Sequence, residues 1–295
     1  MKHYFIAIAC LLIIGCVKET PTMVSVITKP NDTIPIPPKN TNPPVNGEIG
    51  GIHYAFWDFN KPTFTKIVHT FTIHTKPKNI DSLTNSGLFY HNDGLYYQFY
   101  QGNVNDTIGF YYGIQTNVRG WGHGIIFSRW NTRDTLNYKL PTGGWGDSNG
   151  NEGDYIGIRF PYDWGVGTYS IELRKDSTTL KGDWYGLWIT NNTDKKNTYC
   201  GSMRFEISSK SSGIKDGGIT WTELYYKANI NTPMPKWHVS VDEALADNKP
   251  AQHVSVGYNP NKFIGFTNIY TTNKKDVHFS MGPDVIRTTN VGILW

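Results

Sequence analysis

Ile108-Gly109-Phe110-Tyr111-Tyr112-Gly113-Ile114-Gln115 is the stretch that decides the fold. Ile108, Phe110, Tyr112 and Ile114 alternate with Gly109, Tyr111, Gly113 and Gln115. A period of two, rich in aromatic and β-branched residues, puts one set of side chains on each face of a strand. The same alternation recurs on both sides of it. Ile67, Phe71 and Ile73 share a face, as do Ile156, Ile158 and Phe160, then Tyr169, Ile171 and Leu173, then Met203, Phe205 and Ile207. Further strands are expected at 219–226, 254–258, 263–270 and 277–281. Asn92-Asp93-Gly94, Gly143-Gly144, Asn149-Gly150 and Asp216-Gly217-Gly218 separate these runs. These residue types accept positive φ or bond their own backbone, so they read as turns. One segment reads differently: Ser240 with Glu243 fits a capping box and predicts a two-turn helix over Ser240–Ala246. Many short strands with at most one short helix make an all-β protein, an antiparallel β-sandwich of jelly-roll type. No internal repeat at a solenoid or propeller period is present.

The N-terminus carries a different signal. Lys2 and His3 precede an uncharged apolar run, Tyr4–Ile14, that is too short for a bilayer span of roughly 20 residues. The run ends Leu12-Ile13-Ile14-Gly15-Cys16, which resembles the lipobox of bacterial lipoproteins. That resemblance implies cleavage before Cys16, acylation (palmitate among the chains) of its thiol, and a membrane anchor of two or three chains, since one chain holds only marginally. Val17, where a retention aspartate would stand, implies the outer membrane of the cell envelope. Residues 1–15 are then a signal peptide and 16–46 a tether. Pro30, Pro35, Pro37, Pro38, Pro43 and Pro44 leave the tether no helix or paired strand. Residues 47–295 remain for a single large β-sandwich domain. Of the three cysteines, Cys10 leaves with the signal and Cys16 is acylated. Cys200 alone remains, is expected to be a buried apolar residue, and has no disulfide partner.

The net charge of +4 includes no basic cluster, so no nucleic-acid partner is expected. Ten tryptophans and eighteen tyrosines point instead to ring-lined surfaces. The richest segment holds Trp121, Trp130, Trp145 and Trp164 with Arg129, Arg159 and Asp163. Sugars offer flat C–H faces to rings and hydroxyls to charged and amide groups, so aromatic walls with a few polar side chains suit a glycan. Core packing of the same tryptophans is the competing reading. In 147–154, Asp147, Asn149, Asn151 and Asp154 place oxygens at alternate positions, as a structural Ca²⁺ would need. The EF-hand pattern fails there, because Glu152 takes the glycine position, and a polar turn reads the segment equally. Nine histidines are scattered with no H-E-x-x-H and no close pair. His69 and His74 on one strand would face opposite sides, so neither a zinc site nor any other cofactor is expected.

Tyr111-Tyr112-Gly113-Ile114-Gln115, Ile126-Phe127-Ser128-Arg129-Trp130, Asn151-Glu152-Gly153 and Pro161-Tyr162-Asp163-Trp164 with Gly167-Thr168-Tyr169 occur in that order. They resemble a family of secreted bacterial β-sandwich domains of unknown function, with motifs Y-F-G-I-Q, F-S-x-W, G-E-G and P-Y-D-W. The chain departs from it with asparagine for the first glycine of G-E-G and with an insertion at 143–154. The resemblance covers about residues 95–180 and implies a concanavalin-like sandwich of lectin or glucanase type, without a fixed activity. Ser170-Ile171-Glu172-Leu173-Arg174 and Tyr225-Tyr226-Lys227-Ala228 also resemble motifs of jelly-roll alginate lyases, although that family's first arginine and Gln-Ile-His are missing. A lyase or hydrolase would therefore rest on Glu172, Arg174 and Tyr226. The expectation is a lipid-anchored domain that binds carbohydrate. A protein-interaction module of an envelope complex and a carbohydrate-active enzyme stand as alternatives.

Overall fold

The computed structural model describes residues 47–77, 94–105, 107–118, 122–150, 153–207, 212–228, 235–259 and 266–295, with the backbone alone at 47–50 and 225–228. Cys16 and the tether, Trp121, and Asn151 with Glu152 lie outside the described residues. In chain order the strands are β1 (Gly47–Asp58), β2 (Thr63–Phe64), β3 (Lys66–Thr75), β4 (Gly94–Val104), β5 (Ile108–Gln115), β6 (Gly124–Trp130), β7 (Tyr138–Lys139), β8 (Trp145–Asn149), β9 (Tyr155–Pro161) and β10 (Gly167–Thr179). They continue as β11 (Gly182–Asn191), β12 (Lys196–Phe205), β13 (Ile214–Lys215), β14 (Ile219–Ala228), β15 (Trp237–Ala246), β16 (Lys249–Pro250), β17 (His253–Tyr258), β18 (Thr267–Tyr270), β19 (Val277–Met281) and β20 (Gly292–Ile293).

These strands form two antiparallel sheets packed face to face, an all-β sandwich. The eleven-stranded sheet runs β20-β17-β1-β14-β4-β5-β6-β9-β8, with β13 and β2 beside that path. The nine-stranded sheet runs β18-β19-β15-β3-β10-β11-β12-β7, with β16 beside β15. All four edges are short: β20 and β7 have two residues each, β18 four and β8 five.

The alternation seen in the sequence is what fills the space between the sheets. On β3, Ile67, His69, Phe71 and Ile73 are buried and the residues between them are not. Phe71 meets Phe99 of β4 with ring centroids 4.2 Å apart, and Tyr97 meets Phe279 of β19 at 5.3 Å. Trp57, Trp164 and Trp237 are fully buried. Each such ring removes about 150–250 Å² from water, an upper estimate of roughly 4–6 kcal/mol. Cys200 is buried on β12, and burial pushes its thiol well above the usual range.

The segment 240–246 is strand, not helix. β15 pairs with β3 on one side and β19 on the other. The register slips between Val241 and Glu243, a bulge that adds one residue. Trp237, Val239 and Val241 face inward before the bulge, and Ala244 and Ala246 after it. The capping-box spacing of Ser240 and Glu243 is a by-product of that extra residue. The described residues hold only one helical turn, a 3-10 turn at Thr135–Asn137 with Asp134 accepting from Leu136 N.

Candidate functional site

The two outer faces carry the sandwich's accessible chemistry, and β-strand parity decides what each presents. On β6, Ile125, Phe127 and Arg129 point inward, while Ile126, Ser128 and Trp130 point outward. Following partners across the eleven-stranded sheet gives one continuous outward row: Tyr54, Trp221, Gln98, Gly113, Ile126, Arg159 and Trp145. The next row holds Phe56, Ile219, Gln101, Tyr111, Ser128, Gly157 and Asp147. Trp130, opposite Tyr155, begins a third.

Half-buried rings dominate these rows: Tyr54, Phe56, Trp221, Tyr111, Trp130, Tyr155 and Trp145. Tyr111 is the hinge of the group, with Trp130 5.0 Å away and Trp221 6.3 Å away in an edge-on arrangement. Two glycines make room between them. A methyl on Gly113 would collide with the Tyr97 carbonyl and meet Gln98 Oε1 at 2.5 Å, so the glycine is what lets the Gln98 amide lie across β5. Gly157 similarly leaves space for Arg159, whose Nη1 donates to Ser128 Oγ at 3.1 Å and to the Ile158 carbonyl at 3.2 Å.

Polar groups on this face are under-used. Gln98 is fully buried and neither Nε2 nor Oε1 has a partner. Gln115 donates Nε2 to the Asn117 carbonyl, but its Oε1 has no partner, and neither has Trp221 Nε1. A buried amide atom without a hydrogen bond costs about 1–3 kcal/mol, so such groups ask for an explanation. Burial raises the Tyr54 hydroxyl well above its usual range, with Glu223 beside it adding to the shift.

The sequence-derived site residues divide between several places. Trp130, Trp145 and Arg159 share this face, on adjacent strands β6, β9 and β8. Arg129 does not: it is fully buried between the sheets, where Nη1 donates to the Arg204 carbonyl and Nη2 to Glu206 at 2.9 Å, and its guanidinium covers the Phe205 ring at 5.1 Å. Burial pulls its pKa down, and Glu206 works against that pull. Trp164 is also fully buried, stacked on His123 at 4.2 Å and edge-on to Trp237 at 6.0 Å. Neither offers a surface to a ligand. Asp163 is exposed in the loop before Trp164. Trp221 and Tyr111 were within reach of sequence reasoning, because both stand at outward parity in strands that the alternation defines.

The proposed Ca²⁺ oxygens are divided between β8 and the residues after it, with Asn151 outside the described residues. Asp147 and Asn149 lie on β8, while Asp154 pairs with Arg133 at 2.7 Å, both side chains exposed. The enzyme alternative separates too. Glu172 and Arg174 point outward from β10 of the nine-stranded sheet, whereas Tyr226 belongs to β14 of the other sheet. Arg174 is instead tied to Glu172 and to Asp176 (3.1 Å), with its guanidinium 4.8 Å from the Trp188 ring.

The outer face of the nine-stranded sheet holds a cluster that spacing in the sequence did not suggest. His74 of β3, His238 of β15 and His278 of β19 each offer one ligand atom, all within 4.8 Å of one another. His74 and His69 do face opposite sides of β3, as their spacing requires. His238 Nε2 and His278 Nδ1 are 3.1 Å apart, and Tyr270 stacks on His278 at 4.7 Å. Burial first, then His74 and His278, hold His238 down to about 4.

No protein-family model matches the chain, and no curated protein matches it. Among solved structures it is similar to scytalido-glutamic peptidase, crystallised with a transition state analog inhibitor, at a TM-score of 0.40 and 11% identity over 80% of this chain and 98% of that one. At that level of likeness nothing about activity transfers.

Proposed function

We propose that the protein is a lipid-anchored protein of the bacterial cell envelope whose sandwich binds glycan through the outer face of the eleven-stranded sheet. The observation that carries this reading is the outward row from Tyr54 to Trp145, in which half-buried rings at the two ends, Tyr54 with Trp221 and then Trp145, flank Gln98, Gly113, Ile126 and Arg159. Rings spaced along a face suit the repeated C–H faces of a polymer, and the Arg159 guanidinium between them can fix hydroxyls. Anchoring through Cys16 in the outer membrane, with residues 17–46 as spacer, and kinship to the secreted sandwich family rest on the sequence motifs. The row extends across many strands, which favours a chain of sugars over a single small molecule. No basic stripe accompanies the rings, so nucleic acid is not the proposed partner.

The test is a polysaccharide and glycan panel on the full-length protein, reading both retention and release of reducing ends. Retention without release, lost on joint Trp130→Ala and Trp221→Ala substitution, supports the proposal. Release would put the enzyme reading first. Absence of both across a broad panel, with a protein co-purifying, would replace it with the protein-interaction reading.

A further inference from the structure

From the histidine cluster on the opposite sheet we infer a transition-metal site, with Zn²⁺ as the ion its donor set suits best: His74, His238 and His278 supply three nitrogens and a fourth position stays open. This inference is independent of the glycan proposal. Zinc bonds imidazole nitrogen at about 2.0–2.1 Å, so two ligands of a tetrahedral ion stand about 3.3 Å apart. His238 Nε2 and His278 Nδ1 already stand 3.1 Å apart.

The surroundings resemble an outer coordination shell. Asp276 Oδ2 accepts from His278 Nε2 at 3.2 Å, which puts the ring hydrogen there and turns the Nδ1 lone pair toward His238. Asp276 is itself fixed by Thr271 Oγ1 (3.0 Å), by the Thr272 N–H (2.8 Å) and by the Thr272 hydroxyl. His74 Nε2 is 2.8 Å from Ser240 Oγ, which donates to Asp242. A carboxylate on the far ring nitrogen is the usual way to orient a metal-binding imidazole. Tyr270 Oη, 3.4 Å from His238 Nε2, is the nearest oxygen for the open position.

One adjustment is needed. The His74 and His238 rings stack at 4.3 Å with 26° between their planes, so their lone pairs run side by side. His74 is exposed near the end of β3 and is the ring free to turn. The ring hydrogen that His238 shares with His278 then moves to the other ring nitrogen. His238 also lines a pocket of about 230 Å³ with Thr75, Lys236, Ser280 and Asp284, and the exposed His74 opens the ion to solvent.

The experiment is Zn²⁺ titration of the full-length protein, free of any histidine tag and stripped with chelator, in competition with a chromophoric chelator. One ion per chain is expected. His74→Ala, His238→Ala and His278→Ala should each weaken binding at least a hundredfold, Asp276→Asn by about 10–100-fold, and His253→Ala, exposed on the other sheet, not at all. Co²⁺ in place of Zn²⁺ should give the intense visible bands of a four-coordinate ion, lost in His74→Ala. Because His74 is exposed, that variant keeps its fold and decides the matter if the other two misfold. Wild-type affinity in His74→Ala, or less than one-tenth of an ion per chain in the parent, overturns the inference.

Discussion

The two outer faces of this sandwich differ in kind. The eleven-stranded sheet shows rings, amides and glycines, with buried polar atoms left unpaired at Gln98, Gln115 and Trp221. The nine-stranded sheet shows hydroxyl, charged and imidazole groups that are paired, across strands for Thr70 with Ser170 and Thr72 with Thr168 and Asp242, and along β10 for Arg174 with Glu172 and Asp176. The nine-stranded face is the more fully paired, with Trp188 Nε1 as an unpaired exception, while the unpaired amide atoms of the other face lie buried, out of reach of a ligand that only touches the surface. The difference extends inward. Each sheet turns one histidine into the core, His53 on β1 and His69 on β3, and burial holds both near 3, with Arg287 adding to the shift at His53. Among the described residues, only the nine-stranded sheet gathers histidines on its outer face.

The largest expected effect tests the shared interior against the faces. Both inward histidines are neutral when folded and bind a proton when unfolded below about 6.5, so their contribution is full above that pH and is lost as pH falls toward 3. Each costs about 1.4 kcal/mol per pH unit in that window, or about 5 kcal/mol for the pair over two units. Urea melts between pH 7 and pH 4.5 should show this fall, and His69→Phe should remove about one proton from the slope. An unchanged slope would mean that His69 titrates in the fold.

Gly113→Val tests whether the ring face depends on its missing side chain. It should destabilise the fold by about 3 kcal/mol, since the added atoms meet the Tyr97 backbone and Gln98. Trp130→Ala with Trp221→Ala should lower glycan retention about a hundredfold, near 2.7 kcal/mol, with little change in the melting curve. Equal loss of retention from Trp188→Ala on the other sheet would break the comparison outright. Smallest of all, Arg174→Ala should change stability by less than about 1 kcal/mol, because its ion pairs are partly solvated.

The sandwich was legible in the sequence because alternation survives wherever a strand has one wet face. Residues 108–115, 156–160 and 169–173 all lie in strands with the expected faces buried. Parity could also have sorted the tryptophan segment. Arg129 is two residues after Phe127 and so points inward with it, while Trp130 takes the other face. What defeated local reading was phase and distance. The bulge on β15 shifted its buried set by one residue, and the altered spacing imitated a helix. His74, His238 and His278 are neighbours only because β15 lies between β3 and β19, an order that no local pattern encodes. Trp164 follows the end of β9 and takes its burial from Trp237, again a matter of topology.

The brevity of β20, β8, β18 and β7 has a consequence for assembly. A sheet recruits another chain most readily along an unpaired border, where amide and carbonyl groups template a new strand. Borders of two to five residues give such an intruder little to grip, and the longer opening is Lys196–Gly201 of β12, which β7 does not cover. At its short borders the domain is therefore guarded against zipping into its own copies, and a partner there must approach broadside.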